Sequence, residues 1–230
     1  VTEPTGPGAF LAVVGASGVG KDALLSYARE RAGTFARFPR RTITRPPGPG
    51  EDHDPVTEDQ FAAARDRGAF AVYWRAHGLS YGLPASVDAD VRDGLVVVAN
   101  VSRGVICELG ARYRRLVVVH VTVPEEVRER RLRARRREQE PGIGQRLARP
   151  DPAPGHRVDA LIENDGSLAE GGAQLLRVIG DAARRPVTTR ATRVPSPDRS
   201  VLVIDTDIIW RYGDSSPALL HRGRGAAQLH

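Results

Sequence analysis

The stretch Phe10-Leu11-Ala12-Val13-Val14, followed at once by Gly15-Ala16-Ser17-Gly18-Val19-Gly20-Lys21-Asp22, decides how the rest of the chain is read. Five consecutive apolar residues read as the first strand. Beyond the glycines, Asp22 to Glu30 puts Leu24, Leu25 and Ala28 on one helical face. A strand, a Gly-x-x-x-x-Gly-Lys loop and a helix in that order converge backbone N–H groups on one point. They add the positive end of the helix and leave a lysine to reach the outer phosphates of a nucleotide. Lys21 is the single lysine among 34 Lys and Arg residues. In a chain so biased toward arginine, the surviving lysine marks a place where a compact ammonium on a flexible stem is needed and a planar guanidinium is not.

The candidate phosphate site therefore comprises Gly15, Ala16, Ser17, Gly18, Val19, Gly20, Lys21 and Asp22. Loops of this kind usually carry Ser or Thr after the lysine, as a ligand for Mg²⁺. Asp22 stands there instead, and since a carboxylate holds Mg²⁺ directly or through water, it is the candidate metal ligand.

Working outward, apolar runs alternate with amphipathic segments, the pattern of a parallel sheet flanked by helices. Phe35 to Ile43 is strand-like, and Pro46 to His53 reads as a surface loop. Thr57 with Gln60 opens a helix to about Arg67, Phe70 to Trp74 is a short strand, and Ser86 to Asp93 is a helix stopped by Gly94. Leu95 to Ala99 and Leu116 to Val123 are the clearest buried strands. Pro124 starts a very basic helix that runs to about Glu140 and breaks at Pro141-Gly142. Ala160 to Glu163 is a last strand, and Ser167 with Glu170 caps a final helix to about Ala183. This divides the chain into a domain at 9–183 and a linker with a C-terminal extension at 184–230. The extension is expected to be partly disordered, with an apolar patch from Val201 to Trp210.

Composition narrows the function classes. No run reaches the roughly 18 apolar residues of a membrane span, and Val1 to Gly8 lacks the features of a signal peptide, so a cytoplasmic location is expected. The lone Cys107 excludes an internal disulfide and a thiolate metal site, and is expected to be a small buried hydrophobe. A net charge of +6 favours an anionic partner: nucleic acid, acidic lipid or a multiply phosphorylated small molecule.

Six further segments accompany the loop in order: Arg41-Thr42-Ile43-Thr44-Arg45-Pro46, Gly50-Glu51-Asp52-His53, Trp74 to Gly82, Asn100-Val101-Ser102-Arg103, Arg131 to Glu138, and Asn164-Asp165-Gly166-Ser167-Leu168. Together with Gly-Ala-Ser-Gly-Val-Gly-Lys-Asp at 15–22 they resemble the ribose 1,5-bisphosphate phosphokinases, relatives of guanylate kinase. The resemblance spans Phe10 to Ala183. It implies an α/β P-loop NTPase fold of the nucleoside-monophosphate-kinase type with a lid, and ATP with Mg²⁺ as donor. The acceptor would be a sugar bisphosphate, phosphorylated on its 1-phosphate to give 5-phosphoribosyl 1-diphosphate, usually in phosphonate breakdown.

The residues make physical sense of that implication. Each phosphate monoester of such an acceptor carries about −1.5 to −2 near neutral pH, so its site must be rich in cations. Arg41, Arg45 and Arg103 follow strand-like segments where they fork onto phosphates, and Tyr81 supplies a further donor. Glu51, Asn100 and Ser102 suit sugar hydroxyls or metal-bound water. The acceptor phosphate is already ionised, so no general base is required. Arg131, Arg135, Arg137, Arg146 and Arg149 are candidate lid cations, and the resemblance favours Arg135 and Arg146 as catalytic clamps beside Lys21. It also places Asn164 near the adenine, against the alternative of a turn-forming Asn before Asp165-Gly166. His53 and His77 are weaker candidates for substrate contact, and Tyr73 and Trp74 are expected to pack.

Three rival readings stay open. Guanylate kinase reads guanine with a carboxylate in the segment Phe70 to Trp74, where this chain has Val72, and with acids after the strand that follows Gly94, where it has Asn100, Ser102 and Arg103. A catalytically silent interaction domain has no reason to keep Lys21. Nucleic-acid binding through the arginine-rich helix lacks stacking aromatics on that helix. The expected partner is thus a small-molecule sugar bisphosphate, with neither nucleic acid nor membrane, and no oligomeric state is specified.

Overall fold

In chain order the elements are β1 (Ala9–Val14), α1 (Lys21–Arg29), β2 (Ala36–Arg37), β3 (Arg41–Ile43), β4 (His53–Pro55), α2 (Glu58–Asp66), β5 (Phe70–Ala76), β6 (Leu79–Pro84), α3 (Val87–Arg92), β7 (Val96–Asn100), a 3₁₀ turn (Arg103–Val105), α4 (Ile106–Arg112), β8 (Leu116–Thr122), α5 (Glu125–Arg136), β9 (Ala160–Glu163) and α6 (Leu168–Arg184). They come from a computed structural model that describes residues 3–48, 51–136 and 155–184. These lie in a unit spanning Val1–Val187; a second unit, Thr188–His230, falls outside the described residues together with the expected linker and extension.

Because β1 is buried at all six positions, it needs strands on both edges and helices on both faces. It pairs in parallel with β7 on one side and β8 on the other, within a five-stranded parallel sheet ordered β2-β7-β1-β8-β9. Alternate residues feed two cores. Ala9, Leu11 and Val13 pack with Leu24 and Ala28 of α1 and Leu175 and Ile179 of α6. Phe10, Ala12 and Val14 pack with Val87 and Val91 of α3 and Ile106 and Leu109 of α4. A second sheet, ordered β4-β3-β6-β5, is mixed: β3 and β4 run parallel while β3-β6 and β6-β5 are antiparallel.

Local chemistry explains the boundaries. Thr57 and Gln60 form a reciprocal capping box on α2, Gln60 N–H donating to Thr57 Oγ1 at 3.2 Å and Thr57 N–H to Gln60 Oε1 at 2.9 Å. Ser167 and Glu170 do the same for α6. Asp88 fastens α3 to the end of α4: Arg112 Nε donates to Oδ1 at 2.9 Å, a second guanidinium nitrogen to Oδ2, and Tyr113 OH to Oδ1 at 2.8 Å. Burial pushes the Asp88 carboxyl up, but the Arg112 and Tyr113 hydrogen bonds outweigh it and its pKa lies below the ordinary value. Burial and the adjacent Asp88 push the Tyr113 hydroxyl well above the ordinary tyrosine range, so it remains a donor.

Several expectations are corrected. Phe35 to Ile43 is two strands in different sheets, because Pro39 offers no N–H to continue a ladder between β2 and β3. His53, the last residue of the expected loop at Pro46 to His53, instead begins β4, which pairs with β3. The expected strand at Phe70 to Trp74 continues to Ala76 and turns back through His77-Gly78, both at positive φ (56° and 74°), as a two-residue hairpin requires. Cys107 is exposed rather than buried, since Ile106 and Leu109 already direct α4 toward the core and 107 falls on the opposite face. Tyr73 is exposed as well, because on β5 the neighbouring Val72 takes the inward position. The basic helix is described only to Arg136; its expected end, with Arg137, Arg146 and Arg149, lies outside the described residues. No described helix is long and apolar enough to cross a membrane.

Candidate active site

The strand order makes a switch point at β1: its helix leads out toward β2 on one side, while β7 is followed by β8 on the other. In open parallel sheets ligands bind in the crevice beyond the carboxyl ends at such a point. Each of the relevant segments leaves a strand there. The glycine loop follows β1, Asn100 ends β7, and Asn164 follows β9.

The loop takes its form from glycine. Gly15, Gly18 and Gly20 have φ of 144°, 91° and 92°, which an L side chain disfavours. At Gly15 a Cβ would also lie 2.3 Å from the Val121 carbonyl oxygen, so the loop can sit this close to β8 only without one. Gly20 is the N-cap of α1 and no side chain caps that end, which leaves the first-turn N–H groups to a ligand. Lys21 Nζ donates to the Gly15 and Ala16 carbonyls at 2.8 and 2.9 Å, folded across the loop it is expected to serve.

Asp22 joins the two sheets. Its Oδ1 accepts from Asn100 Nδ2 at 2.9 Å and from an Arg41 guanidinium nitrogen at 3.2 Å. Phosphate loop, central sheet and second sheet thus meet in one crevice, lined also by Ser26, Arg29 and Asp52.

The other expected acceptor residues are placed as follows. Arg45 pairs with Glu51 at 2.6 Å, and the same carboxylate oxygen accepts from Gly48 N–H at 3.2 Å. His53 is buried and its Nε2 lies 3.0 Å from the Arg45 carbonyl, so it supports the loop that carries Arg45. Tyr81 stacks on Trp74 with ring centroids 5.5 Å apart. Ser102 Oγ accepts from Gly104 N–H at 3.2 Å as the cap of the 3₁₀ turn bearing Arg103. Of the lid candidates, Arg131 donates to the Val19 carbonyl at 3.4 Å; Arg133, on the same helix and not among them, pairs with Glu129 at 2.6 Å. Arg135 lies on α5 with only its backbone described, and Arg146 lies outside the described residues. Asn164 is buried and donates to the Val19 carbonyl at 2.8 Å.

Sequence reading missed two supports of this site. Glu58 accepts from Thr44 Oγ1 at 2.8 Å and from Ser80 Oγ at 2.9 Å, tying α2 to the loop that carries Arg45 and to β6, which carries Tyr81. The Thr44 and Ser80 hydrogen bonds hold its carboxyl below the ordinary value. Arg29 and Arg40 both pair with Asp52, Arg40 at 3.1 Å, and the Arg29 hydrogen bond lowers the Asp52 carboxyl likewise. These partners stand far apart in sequence, where no local periodicity signals them.

A parallel sheet with a glycine loop at its switch point and a second mixed sheet beside it defines a P-loop kinase. Among solved structures, guanylate kinase from Anaplasma phagocytophilum superposes with a TM-score of 0.55 and 19% identity, covering 80% of this chain and 90% of that one, a likeness of fold. No family model matches the sequence. A protein of Pseudofrankia inefficax named ribose 1,5-bisphosphate phosphokinase PhnN is 71% identical over 189 residues, 82% of this chain and 100% of that protein. A protein of the same name from Chelativorans sp. is 45% identical over 185 residues, 78% of this chain and 88% of that one. A bifunctional ribose 1,5-bisphosphokinase-thymidine phosphorylase of Cupriavidus necator is 44% identical over 185 residues, 31% of its own length. The chain belongs to the ribose 1,5-bisphosphate phosphokinase family.

Proposed function

We propose that this protein transfers the γ-phosphoryl group of ATP to the 1-phosphate of ribose 1,5-bisphosphate. An oxygen of that phosphate attacks the γ-phosphorus, the bond to the ADP oxygen breaks, and 5-phosphoribosyl 1-diphosphate and ADP leave. The nucleophile is already anionic, so the protein's task is positioning and charge neutralisation. The observation that supports the reading is the Asp22 carboxylate held by both Arg41 and Asn100, which brings Arg41, the proposed acceptor-side cation, beside the phosphate loop.

On this reading the loop N–H groups and Lys21 hold the donor phosphates, Arg41, Arg45 and Arg103 hold those of the acceptor, and Tyr81 donates to one of them. Glu51, Asn100 and Ser102 order sugar hydroxyls. Arg135 and Arg146 close over the transferring group. A hard oxygen donor one residue after the loop lysine fits Mg²⁺, and Asp22 would hold it; the ion would supply neutralising charge to the donor phosphates. Residues 9–183 form the kinase domain and 184–230 an extension. The protein acts in the cytoplasm on a small molecule, without nucleic acid.

Against a guanine acceptor stands Val72, 1% exposed and packed with Leu83 and Val87, where a base-reading carboxylate would be desolvated in an apolar core. The test is ADP release from Mg-ATP with ribose 1,5-bisphosphate or GMP in separate reactions. Turnover with the bisphosphate and not with GMP is expected; the reverse result refutes the reading, and silence with both points to another acceptor or a silent domain.

A further inference from the structure

Asn164 occupies a place that its expected neighbourhood to the adenine does not explain. It is 6% exposed, and its amide nitrogen donates to the Val19 carbonyl at 2.8 Å. Two glycines make room for it. A Cβ on Gly20 would lie 2.5 Å from Asn164 Nδ2, and a Cβ on Gly171 2.7 Å from its Oδ1. The side chain is therefore clasped between the phosphate loop and the first turn of α6.

The consequence follows from peptide geometry. The Val19 carbonyl and the Gly20 N–H belong to one planar trans unit and point in opposite directions. Fixing the carbonyl on Asn164 fixes that N–H facing away from Asn164. Val19 lies between Gly18 and Gly20, both at positive φ, so the local backbone has little restraint of its own against a peptide flip.

We infer that Asn164 is a positioning residue for the phosphate loop, which acts on the triphosphate of any nucleotide through Val19 and Gly20 and makes no contact with the base. The inference rests on the proposed reading of the loop as the phosphate site.

Asn164→Ala removes the donor and Asn164→Ser draws it back from the Val19 carbonyl as a hydroxyl on a side chain one bond shorter; neither adds charge beside the phosphates, and serine leaves the smaller cavity should alanine fail to fold. Each variant and the wild type are titrated with Mg-ATP, Mg-GTP and inorganic tripolyphosphate, and hydrogen exchange is followed in the loop and in β1. Removing the Asn164 bond leaves the Val19 carbonyl only the longer one from Arg131, at 3.4 Å, and is expected to weaken all three ligands by the same factor, roughly tenfold. Exchange in residues 15–21 rises while β1 stays protected. A loss confined to ATP, with tripolyphosphate unchanged, overturns the proposal in favour of a base contact. Unchanged binding of all three overturns it too, since the bond then carries nothing. A wild-type protein that binds none of the three defeats the loop reading itself, and this inference with it.

Discussion

Alanine at Gly172 and alanine at Gly180 are the same chemical change on one helix, and the structure assigns them opposite signs. In a helix interior Gly→Ala stabilises by about 1 kcal/mol through backbone entropy. At Gly180 the atoms nearest a new Cβ are the guanidinium of Arg184, from 3.3 Å, the mobile end of an exposed side chain, so the full gain is expected. At Gly172 the Cβ would lie 2.2 Å from Tyr27 Cδ1 and 2.6 Å from Cε1, against a normal carbon separation of about 3.5–4.0 Å. More than an ångström must be found. Either α6 lifts from α1, or the Tyr27 ring leaves and gives up the Arg31 guanidinium stacked 3.8 Å from its centroid. Overpacking of this kind costs roughly 1–3 kcal/mol, which offsets or exceeds the propensity gain. Since about 1 kcal/mol moves the melting temperature of a domain this size by roughly 2–4 °C, Gly180→Ala should melt some 2–4 °C above the wild type and Gly172→Ala at or below it. Calorimetry decides. If Gly172→Ala melts as high as Gly180→Ala, α6 does not approach α1 this closely at Gly172.

Three further outcomes are expected. Lys21→Ala should lower turnover by roughly 10²–10³ or more with an unchanged circular dichroism spectrum; near-normal turnover would remove the loop from the mechanism. Arg41→Ala should raise the KM for the sugar bisphosphate by roughly 10–100-fold and leave the KM for ATP nearly unchanged, and equal rises in both would place Arg41 on the donor side. Asp88→Asn should destabilise by roughly 1.5–3 kcal/mol at neutral pH. Because folding lowers the Asp88 pKa, its stabilisation is fully present above the unfolded value near 3.8 and is lost as pH falls through the lower folded value. Urea midpoints of wild type and variant should therefore run parallel above about pH 5 and converge only in acid below about pH 4; a gap that closes near neutrality would assign the effect elsewhere.

The parallel sheet was legible because its signals are local. Val96–Asn100 and Leu116–Thr122 are aliphatic and β-branched but for Asn100 and His120, and the capping pairs Thr57/Gln60 and Ser167/Glu170 stand three residues apart. The second sheet was read poorly, because β3 and β4 have three residues each and are held by pairing and by Glu58. Such short strands carry too few residues for a period to show. The glycine loop between β1 and α1 was legible from motif order, which also supplied Arg41, Arg45 and Arg103 as proposed acceptor cations. What motif order does not reveal is the contact partner: Asp22 with Asn100 is a pairing across 78 positions, and Asn164 with Val19 across 145.

That first pairing gives a physical reason for aspartate where Ser or Thr is usual. A hydroxyl at position 22 has no charge to set against Arg41, whereas the carboxylate accepts from Arg41 and Asn100 through one oxygen. An acceptor bearing two phosphates demands arginines close to the donor site, and in its absence those arginines repel one another unless an acid lies among them. The two acids that line the crevice, and Glu51 among the described residues outside its lining, meet that need: Asp22 pairs with Arg41, Asp52 with Arg29 and Arg40, and Glu51 with Arg45. On the proposed reading the incoming phosphates would compete with these carboxylates for the guanidinium groups, so part of the binding energy would go to exchanging one anion for another. That exchange favours a ligand with more negative charge than the carboxylates it displaces, and so a bisphosphate over a monophosphate.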